Sequence, residues 1–164
     1  MLNLNKSALV ALLLSALPAH ADTLSRMAGS WSGDGWARQV VDGPQEPVRC
    51  RLTNTFDEQK QRLEISGRCA VPGRQLTMAG RLDGQRGSDR ISGIWFNPDG
   101  LGSTNVSGTQ GAGRITFAFS AKDPQTGEPI AQTVEWRLSG GSLDLVTVDR
   151  ADPEKQMSQM TFTK

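Results

Sequence analysis

The chain has 164 residues with 18 Lys+Arg against 17 Asp+Glu; removing a 21-residue leader, which holds one lysine, would leave 143 residues balanced at 17 against 17. That length makes one domain with a real core rather than two, and the neutral balance gives no electrostatic basis for binding nucleic acid or an anionic membrane. There is no tyrosine, and the only histidine, His20, falls inside the leader, so most metal, haem and acid–base chemistry has no side chain to carry it.

Met1 to Ala21 reads as a secretory signal peptide: Lys6 gives the positive start, Ala8 to Leu14 is an unbroken apolar run, and Pro18 breaks the helix before the cleavage pattern Ala19-His20-Ala21. The apolar run falls short of the roughly 20 residues that span a bilayer, so cleavage between Ala21 and Asp22 and a periplasmic or secreted mature protein are expected, with no transmembrane segment remaining. In an oxidising compartment the two cysteines, Cys50 and Cys69, read as a disulfide. They flank the polar turn Asp57-Glu58-Gln59-Lys60, and a symmetric hairpin about that turn sets Cys50 opposite Cys69 and Leu52 opposite Gly67. A redox-active pair is the alternative, but the C-x-x-C spacing is missing.

After a short helical turn at Asp22 to Ala28, capped by Asp22 or Thr23, the chain shows period-two patterns between Gly, Pro, Asn and Asp clusters. The expected strands are Ser30–Val40, Pro47–Phe56, Arg62–Val71, Arg74–Leu82 and Asp89–Phe96, then Ser103–Thr109, Gly113–Ala121, Pro129–Leu138, Ser142–Asp149 and Lys155–Thr163. Short links such as Val71-Pro72-Gly73, Asp83-Gly84, Asn97-Pro98-Asp99-Gly100 and Asp123-Pro124-Gln125-Thr126-Gly127 demand antiparallel neighbours. The fold class is therefore all-β, and a single up-and-down antiparallel barrel of about eight to ten strands removes the bare edges that a flat meander would expose. A two-layer sandwich competes, but no long Greek-key crossover is visible. Val48, Cys50, Leu52 and Phe56 form one apolar stripe, Leu63, Ile65, Cys69 and Val71 a second, and Ile115, Phe117 and Phe119 a third. Gly67, Gly80, Gly93 and Gly108 fall inside strands, where they signal sharp bends or close approach of another group.

The segment Met27-Ala28-Gly29-Ser30-Trp31, a turn leading into Gly-x-Trp on the first strand, resembles the opening of calycin-like barrels, which include the lipocalins, the fatty-acid-binding-like proteins and nitrobindin-like domains. The resemblance implies a barrel that holds a small apolar molecule in its lumen. It also makes Gly29 and Trp31 a structural plug at the narrow end, with a late basic residue (Arg137, Arg150 or Lys164) stacked on the indole. Nitrobindin-like domains hold haem through a histidine that this chain lacks after the leader, and no cofactor is expected. A weaker resemblance is to small periplasmic metalloprotease-inhibitor barrels, on the leader, Gly29-Ser30-Trp31 and the Cys50/Cys69 layout. It implies that Asp22 to Ala28 would be an inhibitory arm and an envelope protein the partner.

Trp36, Trp95, Phe96 and Trp136 are candidates for a ligand or partner surface; Trp95 and Phe96 are adjacent, so one of them must point away from the core. Asp149, Asp152 and Glu154 lack the spacing of a calcium loop and read as a solvated turn, so no metal site is expected. Glu135 and Arg137 share a face and read as water-exposed, with a lumenal pair as the alternative. Asn105-Val106-Ser107 is a glycosylation acceptor only along a eukaryotic secretory route. Without histidine no Ser-His-Asp or Cys-His arrangement exists, and no catalytic residue is expected. The sequence thus points to a non-catalytic exported binding protein for a small apolar ligand, with an envelope protein-interaction module such as a protease inhibitor as the alternative. It does not specify oligomeric state.

Overall fold

A computed structural model describes residues 22–97, 102–123 and 126–164. The segment Met1 to Ala21, expected as a signal peptide, and residues 98–101 and 124–125 lie outside the described residues. A four-residue helix, α1 (Thr23–Arg26), precedes β1 (Gly29–Ala37), β2 (Glu46–Asp57), β3 (Arg62–Val71), β4 (Arg74–Gly84) and β5 (Arg90–Asn97). β6 (Gly102–Gly111), β7 (Arg114–Lys122), β8 (Pro129–Ser139), β9 (Ser142–Asp149) and β10 (Gln156–Thr163) follow. Each strand pairs antiparallel with its sequence neighbours, and β1 pairs with β10 to close a barrel of ten strands. The all-β up-and-down barrel read from the sequence is the fold; the sandwich is not.

Local chemistry fixes the hairpins. At the β2–β3 turn the Asp57 carboxylate accepts from the backbone N–H groups of Gln59 and Lys60, both at 3.0 Å, and Gln61 takes φ 52° to re-enter the sheet. The register that follows sets Cys50 opposite Cys69 and Leu52 opposite Gly67. The two cysteines form a disulfide across a Cα separation of 4.0 Å. β1 ends at Ala37, three residues before its expected end, because the chain turns at Val40 to Gly43: the Gly43 N–H donates to the Val40 carbonyl and Asp42 sits at φ 64°.

Alternation then separates the two faces. Val48, Cys50, Leu52 and Asn54 of β2 point inward and are buried, while Arg49, Arg51, Thr53 and Thr55 are exposed. The barrel thus carries its apolar face inside and a polar face outside, the reverse of a lipid-facing barrel. Among the described residues, no helix is long and apolar enough to cross a membrane. The in-strand glycines sit where another group comes close. A Cβ on Gly80 would lie 2.5 Å from the Trp95 ring, so that glycine sets how deeply the indole can seat.

Candidate functional site

The two ends of the barrel differ. One end is sealed by α1. Asp22 caps the helix by accepting from the Leu24 N–H at 3.1 Å, and Gln110 of β6 accepts from the same N–H at 3.2 Å. Leu24 and Met27 are 0% and 1% exposed, driven under the barrel by their apolar side chains. The expectation of a free inhibitory arm at Asp22 to Ala28 is therefore corrected: burying Leu24 and Met27 consumes the segment as a lid.

Gly29 holds φ 129°, a backbone angle that L side chains rarely adopt, and this turns the chain from lid to strand. Trp31 lies two residues on, 2% exposed. Its Nε1–H donates to the Met27 carbonyl at 2.9 Å, which also accepts from Asn54 Nδ2 at 3.1 Å. Of the three basic residues considered for the indole, Lys164 is the one in place, its Nζ 4.8 Å from the ring centroid. Above this floor a column of rings fills the lumen: Phe162 stacks on Trp136 at 6.0 Å, Trp136 meets Trp95 edge-on at 6.4 Å, and Trp95 tilts on Phe117 at 5.3 Å.

Beyond Trp95 the filling stops. Among the described residues, a cavity of about 440 Å³ opens to the other end of the barrel, within the range of small-molecule sites. Trp95 and Phe119 line it below, and Met78, Leu145 and Met160 line its wall. Arg38, Gln39, Arg74 and Asp123 belong to its polar edge. Arg74 is held by Glu46 at 3.0 Å, and the Arg38 guanidinium lies 5.2 Å from the Trp36 ring centroid. Met157 reaches the cavity because a bulge between Gln156 and Ser158 shifts the register of β10, so that Met157 and Ser158 are both buried. Three of the chain's five methionines thus line one cavity. Thioether side chains are flexible and polarisable, and they adapt to ligands of irregular shape.

The four aromatic candidates are dispersed. Trp95 is the inward member of its pair, 5% exposed, and Phe96 the outward one, 37% exposed. Trp136 is 1% exposed and does not line the cavity: it is core beneath it, because β8 places it on the face of Val134. Trp36 is half-buried on the outer wall, opposite in face to Trp31. Val40 and Val41, exposed at 60% and 40%, leave β1 at the open end, where β5 carries Phe96 as well.

The remaining polar groups serve the outer surface. Glu135 accepts from Arg137 at 2.6 Å and lies 3.6 Å from Arg114. Asp149 accepts from the N–H groups of Ala151 and Asp152, and Asp152 from that of Glu154, so these carboxylates cap a turn. A wider, shallower depression of about 660 Å³ lies over β1 to β3 and includes Arg49, Arg51 and Arg68. It lies outside the barrel wall, whereas the lumen is concave and ringed by strands, which makes the lumen the better ligand site.

The cavity's methionines, and Gln132, Thr147 and Ser158 beside them, were missed by the sequence reading. Gln132 shares the inward face of Val134 and Trp136, and Thr147 that of Leu143 and Leu145, which was a readable signal. Met157 was hidden by the bulge.

No protein-family model matches the chain, and no curated protein matches its sequence. Among solved structures it is similar to the S-type phycobiliprotein lyase CPES from Guillardia theta, at 12% identity and a TM-score of 0.40, over 86% of this chain and 89% of that one. A likeness at that level leaves the function to be argued from the barrel itself.

Proposed function

We propose that the chain is an exported, non-catalytic container that holds a small, largely apolar molecule in the open half of its barrel. One observation carries the reading: the lumen is packed solid from α1 up to Trp95, then opens into a cavity of about 440 Å³ walled mainly by apolar and thioether side chains. Side chains that merely stabilise a barrel would fill it throughout, since an empty apolar volume costs stability. The calycin-like resemblance of Gly29-Ser30-Trp31 supports the same use. Export is supported by the leader-like segment and by the Cys50–Cys69 disulfide, which persists in oxidising compartments.

The test is native mass spectrometry and thermal-shift screening of the protein against apolar metabolites, alongside Ser158→Phe, which projects a ring into the cavity. Ligand-dependent stabilisation that Ser158→Phe abolishes while the barrel remains folded is the expected result. Stabilisation untouched by that substitution would place the ligand elsewhere. A second reading rests on Val40, Val41 and Phe96, exposed apolar side chains near the open end, after β1 and on β5, strands four apart in the ring. They would let that end meet an envelope protein that delivers or receives the ligand. Val40→Lys with Phe96→Lys should then weaken capture of the partner without changing ligand affinity.

A further inference from the structure

The wall of the cavity is chemically two-sided. Thr147 of β9 and Ser158 of β10 face each other directly in register, are 8% and 9% exposed, and line the cavity. Gln132 of β8 lies beside them, since its face-mate Val134 is the register partner of Thr147. None of these three side chains has a hydrogen-bond partner among the described residues. Their polar atoms are not sealed from the cavity, so they are open to a hydrogen bond from a molecule held there. In the ring of ten strands β9 lies across from β4, which presents Leu76 and Met78. Three unpartnered, uncharged polar groups thus face a wall of apolar and thioether side chains.

Resting on the reading of the lumen as a ligand site, we propose that the cavity selects a molecule with an apolar body and one uncharged hydrogen-bonding group, a hydroxyl or a carbonyl. That group is seated against Thr147, Ser158 and Gln132. Hydroxyl and amide side chains both donate and accept, so they can serve either group. They cannot neutralise a charge, and a carboxylate pressed against them loses its hydration without a counter-ion. Of the cationic groups at the edge, Arg74 pairs with Glu46, and the Arg38 guanidinium lies over Trp36 with its Nε buried and unpartnered, so the charged member of the series tests whether Arg38 serves a carboxylate.

The experiment is isothermal titration calorimetry with a matched series: naphthalene, 2-naphthol, 2-acetylnaphthalene and 2-naphthoate, on the native protein and on Thr147→Val/Ser158→Ala. The naphthol and the ketone should bind the native protein about ten-fold more tightly than naphthalene, and naphthoate no more tightly than naphthalene. In the double variant naphthalene should bind within two-fold of its native affinity, which also reports an intact barrel, while the naphthol falls to the level of naphthalene. If naphthalene and naphthol bind the native protein equally, if naphthoate binds best, or if the variant keeps the preference, this inference is overturned and the lumen reading stands. If no member of the series binds, both fall.

Discussion

Replacing Cys50 and Cys69 together by alanine should remove about 3 to 4 kcal/mol of stability. The bridge joins residues 19 apart in sequence. The entropy that a loop of that size regains in the unfolded chain corresponds to about 3 kcal/mol at 25 °C. Both residues are buried, at 3% and 4% exposure, and the Cys50 sulfur lies 3.6 Å from that of Met160, so the missing sulfurs leave a small void that adds about 1 kcal/mol. The register of β2 on β3 does not depend on the bridge, because the Asp57 turn and the inward stripes set it. The variant should therefore fold to the same barrel with a lower midpoint in guanidinium chloride, followed by tryptophan fluorescence without reductant. Its m-value should rise, since the unfolded chain is no longer held compact. A loss under about 1 kcal/mol would refute the reasoning and show the bridge to be incidental.

Three further outcomes follow from the packing. Trp31→Ala should cost about 3 to 5 kcal/mol by chemical denaturation, whereas Lys164→Gln, which removes only the cation over the indole, should cost at most about 1 kcal/mol; equal losses would contradict the plug. Gly80→Ala forces a Cβ to within 2.5 Å of the Trp95 ring, so it should destabilise by about 1 to 3 kcal/mol and shift tryptophan emission; an unchanged spectrum would mean that Trp95 has room to spare. The backbone N–H of Lys60, then its ammonium 3.1 Å away, hold the Asp57 carboxyl below its ordinary value of 3.8. A depressed carboxylate stabilises the fold above pH 3.8 and ceases to do so as pH falls through its folded value. Asp57→Asn should therefore flatten the acid limb of a denaturant-midpoint titration, and parallel limbs would remove Asp57 from the account.

What the sequence disclosed was what local chemistry controls. The turn at Asp57, the alternating stripes of β2 and β3 and the even spacing of turn residues each act within a hairpin, and they were enough to place Cys50 on Cys69 and to predict an up-and-down barrel. Features that depend on how distant strands pack were not legible. That Lys164 rather than Arg137 or Arg150 covers Trp31 depends on the β1–β10 seam, which joins the two ends of the described chain. Trp95 and Phe96 could not be sorted from their adjacency, although Ile91 at inward parity was a usable guide. The helical turn at Asp22 to Ala28 and its Asp22 cap were legible, but its docking under the barrel was not, because the two apolar residues that tether it, Leu24 and Met27, are too few to show a pattern. The cavity was invisible because an empty volume belongs to the sum of packed side chains, and the bulge at Gln156 breaks the period-two rule where Met157 turns inward.

The central claim is that the lumen above Trp95 holds a small molecule, and the methionine methyl groups report on it directly. Met78, Met157 and Met160 line the cavity, whereas Met27 lies in the lid at the sealed end. In a methyl-resolved NMR titration with 2-naphthol, the first three resonances should shift together along one saturable curve while Met27 stays still. Unmoved cavity methyls, or shifts confined to the outer wall around Arg51 and Arg68, would contradict the account.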